Sequence, residues 1–163
     1  MREELQIAIR ENFTFFLRKV HEELSPGKLF IYAPFLDFLA HKLMALHDGD
    51  FQRLNINIPP AHGKTTLCSK AFSAWVLGHD PSSQVMAITG AEGLSKDIAF
   101  DVRQILRSKW FREVFPTRLR ADPIRRFRLR NNKGRRMFLQ HDRGKLHRAA
   151  GRCNCDGRRD RFR

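Results

Sequence analysis

Gly63-Lys64-Thr65-Thr66 is the tract of this chain whose residue types and spacing suit phosphate chemistry. Glycine lets a backbone pass close to an anion, lysine brings a cation to the β- and γ-phosphates, and a following threonine hydroxyl suits Mg2+. The usual pattern is G-x-x-x-x-G-K-[ST], and here Ile58 stands at the first glycine position. The physical requirement survives that loss. Where a helix begins at this point, the amides of His62 to Thr66 face the anion and the helix dipole favours it. The expected cofactor-binding residues are therefore His62, Gly63, Lys64, Thr65 and Thr66, for ATP, with Thr65 also as the Mg2+ ligand. Pro59 and Pro60 lack N–H groups but restrict the chain entering the loop. His62 reads as structural rather than catalytic, and Cys68 as a core residue. G-K-[ST] alone is a weak signal in a basic protein, so the surrounding elements decide.

Those elements follow from periodicity. Phe13, Phe16, Leu17, Val20 and Leu24 recur at helical spacing and predict one helix over 3–24, stopped by Ser25-Pro26-Gly27. A second is expected over 34–47, with Phe35, Phe38, Leu39, Leu43 and Leu46 inward. After the Asp48-Gly49-Asp50 turn, Leu54, Ile56 and Ile58 alternate with Asn55 and Asn57, a strand pattern running into the loop. Helical spacing resumes through Leu67, Ala71 and Trp75 and ends near Gly78 and Pro81. Residues 83–89 predict another strand. A further helix over 91–109 turns Leu94, Ile98, Val102 and Ile105 to one face. Residues 127–130 and 136–139 flank Asn131-Asn132-Lys133-Gly134, a hairpin signal. Strand-helix-strand-helix order implies an α/β fold, a parallel sheet with flanking helices.

The net charge of +14 is unevenly spread. Residues 117–163 hold 17 of the 31 Lys/Arg but only 4 of the 17 Asp/Glu. A balanced body thus carries an Arg-heavy tail, and the two need separate explanations. Three cysteines, two of them in Cys153-Asn154-Cys155, make neither a disulfide framework nor the usual zinc spacing. No apolar run approaches the roughly 20 residues of a membrane span, and Arg2, Glu3 and Glu4 do not open a signal sequence. The expectation is a cytoplasmic protein with no membrane partner.

The tract from Arg53 to Leu106, with the Pro-Pro-x-His-Gly-Lys-Thr loop after its short strand, resembles the ATPase domain of phage and prophage terminase large subunits. Their deviant Walker A often carries the same prolines, which would account for the missing glycine. The resemblance takes in "FLRKVHEEL" and "FREVFPTRLRAD" and extends over residues 10 to 138. It implies an incomplete P-loop NTPase-like sheet, divided as an N-terminal helical segment (1–50), a partial ATPase domain (51–136) and a basic tail (137–163). Carried over residue by residue, Lys64 takes the phosphate and Thr65 the Mg2+, with Gly63 and His62 in the loop. The implied partners are double-stranded DNA, a terminase small subunit and the portal ring of a procapsid, in a bacterial host cytoplasm. Ala61 stands where the family frequently has arginine, so any role of that arginine has no counterpart here.

Such an ATPase also needs a strand ending in acidic residues, to position Mg2+ and the attacking water. After Leu106 no apolar run ends in Asp or Glu, so the catalytic residues are unknown. Asp97, Asp101 and Asp122 are the candidate acids that remain, on a helix or in a loop. The tail suggests one reason. Re-read from the second nucleotide of each codon, residues 144–148 admit Gly-Ser-Phe-Thr-Gly, and residues 153–158 admit an apolar strand with Asp-Asp positions. The hypothesis is that residues from about 137 onward are out-of-frame and disordered, truncating a terminase gene; a shifted frame lacking the acidic codon pair would refute it. A genuine basic DNA-binding arm remains the alternative. Two wider alternatives also stand: another P-loop nucleotide-binding protein, or a non-enzymatic basic nucleic-acid-binding protein.

Overall fold

The computed structural model describes residues 2–119, 128–130 and 136–141. Helices dominate: α1 (Glu3–Glu11), α2 (Phe13–Leu24), α3 (Pro34–Asp48), a π-helical stretch Thr65–Ala71 continuing into α4 (Phe72–His79), α5 (Glu92–Arg107) and α6 (Lys109–Val114). The strands are β1 (Met86–Thr89), β2 (Arg128–Arg130) and β3 (Arg136–His141).

The helix expected over 3–24 is broken at Asn12. Its side-chain Oδ1 accepts from the Thr14 and Phe15 amides at 2.9 and 3.2 Å, satisfying donors that would otherwise be orphaned at a helix start. Periodicity continues across the break, which is why the apolar pattern alone hid it. In α3, proline lies in the first turn and Gly49 caps the end with φ 92°. Leu39 and Leu43 are buried as expected, but Phe38 is 62% exposed and Leu36 and Ala40 take its place. The Lys42 ammonium sits 5.6 Å from the Phe38 ring centroid. On α5, Ile98, Val102 and Ile105 are buried, whereas Leu94 stays exposed.

β1 pairs in parallel with β3, Met86 opposite Phe138, and β3 pairs antiparallel with β2, giving the order β1-β3-β2. β2 and β3 flank the expected hairpin turn. The P-loop-like parallel sheet itself is not shown. The loop's own approach, Leu54–Ile58, is no strand: its half-buried residues 54, 56 and 58 alternate with exposed Asn55 and Asn57, but no ladder forms. Leu54, Ile56 and Ile58 pack against the helical core. Side-chain alternation needs one apolar face, whereas a strand also needs a neighbour's backbone. β3 runs to His141, past the boundary at 136/137; the rest of the basic tail and Asp122 lie outside the described residues.

The core is aromatic and sits where α2, α4 and α6 converge. Phe16 is fully buried, with Trp75, Trp110, Phe115 and Phe111 at centroid distances of 5.1, 5.5, 5.8 and 6.3 Å. Most of these rings meet edge-on, the arrangement the ring quadrupole favours. Buried Thr117 donates its hydroxyl to the Leu77 carbonyl at 2.7 Å and lies 3.3 Å from the Gly78 carbonyl, satisfying acceptors at the end of α4. The helix that starts at Lys64 is therefore anchored firmly at its far end. Among the described residues, no helix is long and apolar enough to cross a membrane.

Candidate phosphate-binding loop

From Pro59 the chain makes a turn in which Ala61 (φ 65°) and Gly63 (φ 73°) are both left-handed. Ala61 is the one non-glycine residue in that conformation among the described residues. For alanine it costs about 1–2 kcal/mol, because Cβ crowds the carbonyl. No atom would lie within 4 Å of a Cβ on Gly63, so φ and not space demands glycine there. Left-handed residues alternating with ordinary ones curl successive N–H groups towards one point, an anion-binding nest.

His62, between the two, donates Nδ1–H to the Pro60 carbonyl at 2.8 Å, and its ring lies 6.1 Å from that of Phe35. Its work is to close the turn. Lys64 then adopts helical angles (φ −49°, ψ −48°). The Leu67 amide donates to the Gly63 carbonyl at 2.9 Å. The amides of Lys64, Thr65 and Thr66 thus precede the first intrahelical bond and have no acceptor within the helix. Residues 61–64 are exposed, with Thr65 and Thr66 half-buried behind them. The structure brings His62, Gly63, Lys64, Thr65 and Thr66 together at one helix start, aimed outward.

Cys68 is half-buried against the core rather than within it. Burial raises its thiol pKa from 9.0, against the pull of the Lys64 ammonium, so the thiol stays protonated near neutrality.

The loop's leading amides, which have no acceptor within the helix, and the exposed Lys64 cation suit a phosphate chain. Mg2+ fits less completely: Thr65 offers one hydroxyl, and no described cluster of three His, Cys, Asp or Glu stands ready to hold a metal. Asp101, one of the acids considered from the sequence, is taken by Lys70, with Nζ and Oδ2 2.5 Å apart. Asp97 is exposed on α5. Sequence reasoning missed both the strain at Ala61 and this ion pair. Nothing in the sequence signals either, since one depends on a backbone angle and the other joins residues 31 positions apart.

Comparison with protein-family models, with curated proteins and with solved structures finds no match for this chain.

Proposed function

We propose that the 61–66 loop binds the phosphates of a nucleotide, and that the chain is the ATP-binding, N-terminal part of a terminase-type DNA-packaging motor. The observation that carries the nucleotide reading is the pair of left-handed residues, Ala61 and Gly63, leading into a helix whose first side chains are Lys64, Thr65 and Thr66. Strain of this kind persists where a backbone must present its amides. In this reading the amides and Lys64 hold the phosphate oxygens, and the Thr65 hydroxyl would hold Mg2+ beside them. The motor reading rests on the order and spacing of the motif with the elements that follow it. DNA, a small subunit and a portal would be the partners of the intact machine.

Isothermal titration with Mg-ADP tests the loop. Binding should be weak but measurable, and Lys64→Ala should abolish it by removing the cation facing the phosphates. Equal affinity in the two proteins refutes the assignment. Hydrolysis should stay near the buffer background even with DNA present, because no acidic strand end has been found to orient water. Robust, Lys64-dependent turnover would show that an acid has been missed, with Asp122 the first to mutate. The charge concentrated in residues 117–163 favours a second reading, nucleic-acid binding through the tail alone. Affinity for DNA that falls steeply with salt and survives Lys64→Ala would support it.

A further inference from the structure

We infer that the Lys70–Asp101 ion pair is a positioning device that sets the helical register of the phosphate loop; the inference rests on the nucleotide reading and deepens it. The helix behind the loop does not start as an ordinary α-helix. Thr65–Ala71 is π-helical, and only from Phe72 does α geometry take over. A π-bulge accommodates about one extra residue in a turn, and such bulges concentrate at functional sites. Each α-helical residue turns the chain by about 100°, so relaxing the bulge would swing Lys64, Thr65 and Thr66 by that order relative to α4. α4 cannot follow, because Ala74, Trp75 and Leu77 are buried in the core. The direction in which the loop faces therefore depends on what holds the bulge open.

Lys70 lies inside the bulge, and its Nζ reaches Asp101 Oδ2 on α5 at 2.5 Å. The side chains are only 17% and 22% exposed, so water replaces neither partner easily. The other described ion pairs, Arg18–Glu22, Lys19–Glu22 and Lys96–Glu92, each lie within one helix and are more exposed. Asp101 is itself fixed, because Ile98, Val102 and Ile105 bury the face of α5 beside it. An anchored carboxylate thus draws Lys70 to one side of the bulge. Without it the wide turn has less to oppose its closing.

The test uses the full chain and two readouts. In titrations with Mg-ADP, Lys70→Met and Asp101→Asn should each weaken binding about tenfold, the range expected for a coupled pair. Lys70→Arg should bind like wild type, and the exchanged pair K70D/D101K should recover most of the loss. Melting temperature is measured alongside, since a merely structural pair would lower it without moving affinity. Wild-type affinity in both single variants overturns the inference, as does an exchanged pair no better than either. If the wild-type protein binds no Mg-ADP, the loop reading fails by itself, and amide exchange over residues 67–72 decides the register. A changed exchange pattern there in Lys70→Met, returned to that of wild type by K70D/D101K, supports the pin; an unchanged pattern removes it.

Discussion

The helix from Lys64 to His79 has two unlike ends. At the near end, the chain enters through two left-handed residues, its first amides have no acceptor within the helix, and residues 61–64 are exposed. At the far end, Trp75 is locked among Phe13, Phe16 and Phe115, and Thr117 satisfies the terminal carbonyls. One end is rigid and apolar and the other is polar and strained. That division is what the proposed anion binding would require, because strain at one end of a helix persists only if the rest of it is held. A helix loose at both ends would relax into ordinary geometry and lose the left-handed turn at 61–63.

The sharpest way to break this contrast is at the anchored end. Phe16→Ala removes the ring that touches five other aromatic residues and should cost about 3–5 kcal/mol, measured by urea unfolding. A loss under about 1 kcal/mol would mean that the core is not centred there.

Gly78→Ala probes the same end more gently. The added Cβ would lie 2.8 Å from Cδ1 of the Phe115 ring, which is itself buried and cannot readily move. Overpacking should cost about 1–3 kcal/mol, and unchanged stability would show that the ring has room.

At the strained end the sign reverses. Ala61→Gly relieves the left-handed backbone, offset in part by the greater freedom of glycine when unfolded, for a net gain of about 0.5 kcal/mol. Destabilisation by a similar amount in the same unfolding assay would contradict the strain argument.

The smallest effect concerns pH. Burial lowers the pKa of His79 from 6.5, opposed by its ring contacts with the Trp75 and Arg10 carbonyls and helped by the nearby His47 and Arg10. A depressed folded value means that the neutral ring's contribution is complete above pH 6.5 and is lost progressively as pH falls from there through the lower folded value. The melting temperature should therefore drop modestly on acidification from pH 7 to 5. His79→Gln should flatten that part of the profile; an identical profile in the variant would clear His79 of any part in it.

How much of this was legible beforehand varies from residue to residue. Helical spacing located α2, α3 and α5 closely, because a buried stripe repeats every three to four residues whatever lies opposite it. Glycine-lysine-threonine at a helix start was readable for the same reason: dipole and side chains act locally. The break at Asn12 was written in the sequence too, as an N-cap residue before a helical run, but continuing periodicity masked it.

What the sequence determined by itself, then, is what depends on neighbours in the chain: most of the helical segments, and a glycine-lysine-threonine tract at a helix start after two prolines. What only the tertiary structure decided depends on groups distant in sequence. Whether 54–58 joins a sheet required a partner's backbone, and among the described residues none pairs with it. Whether Phe38 and Leu94 are covered required knowing what packs over each helix, and they remain exposed. The π-helical turn and the pairing of Lys70 with Asp101 arise where two helices meet. Local preference sets what each segment can be, but burial and pairing are properties of the whole packed chain.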